Sequence, residues 1–162
     1  MVSCVLSWNG ISRPFIVDTQ QTKINADYYT NHVKNDLVPA IKELYPQDDG
    51  ILAIDGASSH TSNQCQQFLI KEFGRSRKIS KNQWPPHSPD LNPLDHYFWS
   101  AVQDKVFAGR NEPFSNVMEL ENQIIAVWES ACEPGPLHRA IEQFRPRLLA
   151  VVNQKGGPIK HL

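Results

Sequence analysis

The chain has 162 residues, 40% of them hydrophobic and 20% charged, which is enough for one domain with a real core. A formal net charge of −1 gives no global pull toward nucleic acid or an anionic membrane, so any such contact must come from local patches. Three scattered cysteines without a Cys-x-x-Cys pair argue against a zinc site or a disulfide framework and suit a reducing compartment. No apolar run approaches the ~18 residues of a membrane span, and the first ten residues lack the basic start of a secretory signal, so a soluble intracellular protein is expected.

Val2, Cys4, Leu6 and Trp8 alternate with Ser3, Val5 and Ser7 at the period of a half-buried strand. Asn9-Gly10 is a two-residue hairpin signal, and Arg13 to Asp18 should pair back antiparallel. Asn25 can cap a helix reaching about Leu44, with Tyr29, Val33, Leu37, Ile41 and Leu44 as its buried stripe and a kink at Pro39. Ile51 to Ile54, between Gly50 and Asp55-Gly56, reads as a fully buried strand with Asp55 at its C-terminal end. Thr61 or Ser62 can cap a helix carrying Cys65, Phe68, Leu69 and Phe73. Arg75, Arg77, Lys78 and Lys81 surround a short strand near Ile79, as a solvated loop or as a phosphate contact.

Prolines at 85, 86, 89 and 93 keep the next stretch out of helix and sheet. Asn92-Pro93 then starts a helix, with Asp95 in its first turn and Leu94, Phe98, Val102 and Val106 on its buried face. Two more helices follow. Ser115 to Ser130 carries Val117, Leu120, Ile124 and Val127; Leu137 to Val152 carries Leu137, Ile141, Phe144, Leu148 and Val151 and is interrupted at Pro146. Gly156-Gly157-Pro158 ends helical structure. The order of elements gives an α/β fold with a mixed sheet in a single domain over 1–162.

From the residues alone Asp95 reads first as a capping aspartate on an amphipathic helix. The alternative pairs it with Asp55. Two carboxylates brought together resist ionising unless a cation sits between them, and hard oxygen ligands suit Mg²⁺ or Mn²⁺. His60, five residues after Asp55, is either a loop histidine with a local hydrogen bond or an orienting donor or proton carrier for the same pocket. His87 and His96 have no metal-ligand spacing and read as solvated or structural. Trp84, Trp99 and Trp128 read as core or interface. No Gly-rich phosphate loop and no nucleophile elbow are present, which leaves no small-molecule substrate to suggest.

Ile51-Leu-Ala-Ile-Asp55-Gly-Ala-Ser-Ser-His60 resembles the second catalytic block of Tc/mariner transposases. Trp84-Pro-Pro-His-Ser-Pro-Asp-Leu-Asn-Pro-Leu-Asp95 resembles the third, and Trp99, Val102 and Lys105-Val106 match the helix behind it. The hairpin from Val2 and the tail at Arg147 to Pro158 extend the likeness over nearly the whole chain. The resemblance implies a ribonuclease-H-like mixed sheet flanked by helices, and three carboxylates holding Mg²⁺ or Mn²⁺. It further implies nuclear action on transposon-end and target DNA, with Asp55 and Asp95 as catalytic metal ligands and His60 in support.

The family's first acid lies on a strand before the hairpin, and Asp18 does not substitute for it. The expectation is therefore a truncated catalytic domain that lacks its first strand and the N-terminal DNA-binding modules. Such a chain is expected to expose its sheet to mispairing or self-association and to nick DNA negligibly. The alternative function is a catalytically inactive transposase remnant acting as a DNA-binding or protein-interaction module.

Overall fold

In the computed structural model Ser7 faces Gly10 and Leu6 faces Ile11, so the two loop residues of the hairpin are Trp8 and Asn9, one position earlier than Asn9-Gly10. Gly10 has φ 133°, a region that a side chain disfavours, and its carbonyl accepts from the Ser7 hydroxyl at 3.0 Å. The structure describes residues 1–17, 23–79, 82–86, 88–157 and 159; Asp18, Lys81, His87 and Pro158 lie outside them.

The described chain forms two compact units. One contains Met1–Val5 and Phe15–Ser88, the other Leu6–Pro14 and Pro89–Leu162. The hairpin contributes to both: β1 (Val2–Ser3) pairs antiparallel with β4 (Phe15–Ile16) in the first, and β2 (Leu6–Ser7) with β3 (Gly10–Ile11) in the second.

In the first unit Asn25 caps as expected, its side chain accepting from the Tyr28 N–H at 2.8 Å. The expected single helix is divided into α1 (Ala26–His32), a π-helical stretch Val33–Leu37 and α2 (Val38–Leu44). Pro39 lies in the first turn of α2, where its missing N–H costs least, so the irregularity falls just before the proline. Ser62 caps α3 (Asn63–Phe73), and Gly74 at φ 74° ends it. Tyr29, Val33, Val38, Cys65, Leu69 and Phe73 make the core, with Leu37, Ile41, Leu52, Ile54 and Phe68 packed against it.

The segment at Ile51 to Ile54 is not a fully buried strand. Ile51 is 69% exposed, Leu52 and Ile54 turn inward, and only Leu52 pairs, in parallel with Lys78. Its alternation was invisible because both faces carry apolar residues. Parallel and antiparallel pairing therefore both occur, as an α/β chain requires, but among the described residues in short pieces.

In the second unit Asn92 opens a helical stretch that begins as a π-helical turn, Leu94–Phe98, and continues as α4 (Trp99–Phe107). Phe98, Val102 and Val106 are buried as the spacing predicts. α4 packs on α5 (Val117–Ala131), where the Phe98 ring meets the Trp128 ring edge-on at 5.2 Å. Asn116 caps α5, and Glu119 reaches back to the Ser115 N–H, completing a capping box one residue early. The buried face of α5 is Ile124, Trp128 and Ala131; Val117, expected inside, is 53% exposed because it sits in the first turn. The last expected helix is two: α6 (Pro134–Glu142) and α7 (Phe144–Asn153). The break falls at Gln143, and Pro146 is accommodated in the first turn of α7.

Candidate functional site

Asp55 follows the short inward-outward segment that the backbone on either side of Lys78 pins: the Leu52 N–H donates to the Arg77 carbonyl at 2.8 Å, and the Ile79 N–H to the Leu52 carbonyl at 2.9 Å. The chain then turns through Gly56 to Thr61 before α3 starts. That turn brings His60 back to Asp55, where Nδ1–H donates to Oδ1 at 2.5 Å. The Ala57 N–H donates to the same oxygen at 3.0 Å. These two donors, His60 first, hold the Asp55 carboxyl below the usual carboxylate range against the opposing effect of partial burial. The Asp55 side chain remains 43% exposed, so an ionised carboxylate faces an accessible space.

The imidazole is itself held. It stacks on the buried Tyr29 ring, centroids 3.9 Å apart and planes 22° from parallel. Burial pushes the Tyr29 hydroxyl well above its ordinary value, so Tyr29 is a neutral platform. The His60 carbonyl accepts from Gln66 Nε2 at 2.8 Å, and Gln66 Oε1 accepts from the Lys78 ammonium at 2.5 Å. Sequence reasoning missed Tyr29, Gln66 and Lys78 as parts of this site. Lys78 is an isolated bridge residue opposite Leu52, and neither it nor Gln66 belongs to a motif.

The basic cluster expected around Ile79 is not assembled as a phosphate contact among the described residues. Lys78 is buried at 7% exposure, Arg77 pairs with Asp48, and Arg75 is exposed by itself at the turn after α3.

Asp95 belongs to the other unit. Asn92 organises it: the Asn92 Oδ1 accepts from the Leu94 N–H at 3.1 Å, and Asn92 Nδ2 donates to Asp95 Oδ2 at 2.8 Å. Asp95 thus sits in the first helical turn as predicted, where the helix field favours its charge. Its neighbour His96 is partly buried, and burial, then Arg147, lowers its affinity for a proton.

Against known proteins, a family described as DDE superfamily endonuclease matches residues 16–121, a span that contains Asp55, His60 and Asp95. The chain belongs to the DDE superfamily endonucleases. It corresponds to a Tc/mariner transposase catalytic region. It is 25% identical over 159 residues to the transposable element Tc3 transposase of Caenorhabditis elegans, covering 97% of this chain and 46% of that protein. It is 32% identical over 107 residues to the Tcb2 transposase of Caenorhabditis briggsae, covering 66% of this chain and 36% of that protein. The chain thus spans less than half the length of these relatives. Its fold is that of the Mos1 transposase catalytic domain: a structure of that domain with Raltegravir and Mg superposes with a TM-score of 0.76 at 21% identity, covering 98% of this chain and 76% of that one. The Mos1 mariner paired end complex with Mn gives 0.80 at 19% identity, covering 98% and 44%.

Proposed function

We propose that this chain is the catalytic portion of a Tc/mariner-type DNA transposase. On this reading it is the ribonuclease-H-like core of a nuclear protein that cuts DNA at a transposon end and passes the freed 3′-hydroxyl to target DNA, with Mg²⁺ or Mn²⁺. The observation that carries the reading is Asp55: an exposed carboxylate, held ionised and aimed by His60 and Ala57, inside the segment that matches the endonuclease family.

The donor set fits a hard divalent ion in kind, because Asp55 and Asp95 both offer anionic oxygen. Among the described residues no three His, Cys, Asp or Glu side chains gather as a metal-holding group, so each carboxylate would supply only part of a coordination sphere. Hard ions fill such a sphere with waters and substrate phosphate oxygens. When bound, the ion lowers the pKa of its water and stabilises the leaving oxygen of a phosphodiester. Both hydrogen bonds to Asp55 converge on Oδ1, which leaves Oδ2 as the oxygen that would hold the ion. His60 fixes the carboxylate plane, and Asn92 does the same for Asp95.

The test is Mn²⁺ binding by electron paramagnetic resonance, with and without a DNA duplex. Saturable binding should weaken by about tenfold or more in Asp55→Asn and in Asp95→Asn. DNA should tighten it by about fivefold or more, since binding couplings are reciprocal and phosphate oxygens complete the sphere. Mn²⁺ binding unchanged in both variants would overturn the reading. DNA binding without any Mn²⁺ binding would give the inactive binding module instead.

A further inference from the structure

Lys78 presents a puzzle of cost. A buried ammonium forfeits its hydration, and among the described residues this one meets the neutral amide oxygen of Gln66 and no carboxylate. Burial accordingly lowers its affinity for a proton. A methionine there would fill the space without that cost. The side chain lies in a continuous series of contacts that ends at the candidate catalytic carboxylate. Lys78 donates to Gln66 Oε1; Gln66 Nε2 donates to the His60 carbonyl; the His60 ring, seated on Tyr29, donates to Asp55.

We propose that Gln66 and Lys78 are positioning residues for the Asp55 site: Lys78 fixes the amide orientation of Gln66, and Gln66 anchors the His60 backbone so that the imidazole stays on Tyr29 and aims Asp55. An amide side chain can present its oxygen or its nitrogen to the His60 carbonyl, and only the nitrogen donates. An ammonium carries donors alone, so a buried Lys78 facing Gln66 admits one orientation of the amide, with oxygen toward Lys78 and nitrogen toward His60. Lys78 is also the bridge partner of Leu52, three residues before Asp55, through the hydrogen bonds of its neighbours Arg77 and Ile79. The pair therefore ties the segment that carries Asp55, the first turns of α3 and the loop that carries His60 into one rigid arrangement. Support of this kind is what a binding group needs to hold its geometry.

The inference concerns how the proposed metal ligand is oriented, and it rests on that reading for one of its two readouts. The distinguishing variant is Gln66→Glu. It keeps an oxygen for Lys78, and with it a charge partner, but removes the N–H that reaches the His60 carbonyl. The first readout needs no metal: the His60 ring protons, shifted upfield by the Tyr29 face in the native protein, should move back toward the values of an unstacked imidazole. The second is Mn²⁺ affinity, which should fall by about tenfold, the usual scale for groups that orient a ligand. Thermal stability should hold, which separates positioning from a purely structural role.

Lys78→Met is the second variant and serves if Gln66→Glu does not fold. It should match or exceed the native melting temperature while showing the same two losses to a smaller degree. Native His60 ring shifts in both variants would overturn the proposal. If the native chain binds no Mn²⁺, the metal reading fails by itself and the ring shifts alone decide the positioning.

Discussion

The His60 Nδ1–H donates to Asp55 Oδ1 at 2.5 Å, although five residues of turn separate the two along the chain. That bond is the main reason the Asp55 carboxyl ionises below its ordinary range, with the Ala57 N–H adding to it and partial burial opposing. Removing the donor should therefore raise it. In His60→Ala, followed by carboxyl carbon NMR without divalent ions, Asp55 should titrate nearer the ordinary aspartate value of about 3.9. The sign for stability follows from a folded-state value below the unfolded one. The contribution is fully present above the unfolded value and disappears as pH falls through the lower folded value. His60→Ala should therefore flatten the acid limb of the stability profile below about pH 4 and leave the Asp55 contribution at neutral pH reduced.

A second histidine does a different job. His32 is 4% exposed, and both ring nitrogens are engaged, with Ser3 Oγ at 2.8 Å and Asp36 Oδ2 at 2.8 Å. It fastens β1 to the helical stretch that follows α1, and the Phe15 ring meets it edge-on at 5.6 Å. His32→Ala should destabilise the fold by about 2–4 kcal/mol, from the cavity and the unmet partners together. Ser3→Ala, which removes one hydrogen bond and little volume, should cost about 1 kcal/mol. Urea unfolding of the two variants measures both, and equal costs would deny His32 its central place in the clasp.

Phe98 is fully buried, and its ring meets Trp128 at 84° between planes. Trp128 is fixed in turn, since its indole N–H donates to the Ser12 carbonyl at 2.9 Å. Truncation leaves a void that an anchored indole cannot fill. Phe98→Ala should cost about 3–5 kcal/mol in chemical denaturation, while Phe98→Leu should cost less than half of that.

Asn92 serves both the helix and the acid behind it, through its bonds to the Leu94 N–H and to Asp95 Oδ2. Asn92→Ala should lose about 1 kcal/mol of stability, as an N-cap does. Asn92→Asp restores the cap but places a second negative charge beside Asp95. It should recover most of the stability while changing Mn²⁺ affinity, a split that calorimetry with and without metal would read.

The elements with a strong periodic face were legible in the letters. Phe98, Val102 and Val106 are buried as their spacing demands, and Asn25 and Ser62 cap where a short polar side chain precedes an apolar stripe. The hydrogen bond of His60 to Asp55 satisfies both readings of that histidine, a local loop bond and an orienting donor. What stayed hidden was set by tertiary partners. Ile51 to Ile54 is apolar on both faces, so its letters cannot say which face is covered, and Ile51 turned out exposed. Gln143 breaks the last helix although Pro146 is the stronger local signal, because a proline in a first turn breaks nothing. Lys78 and Gln66 carry no motif; only the fold brings an ammonium from an isolated bridge residue against an amide on α3.

The most direct test of the account asks whether Asp55 holds Mn²⁺. Amide resonances near a bound Mn²⁺ broaden steeply with proximity, so titration into isotope-labelled native protein reports which residues hold it. The account predicts that the amides of Asp55–Ala57 broaden at low Mn²⁺ concentration and that Asp55→Asn abolishes that broadening. Amides of Asp55–Ala57 that stay sharp, or broadening there that survives Asp55→Asn unchanged, would contradict a metal site at Asp55.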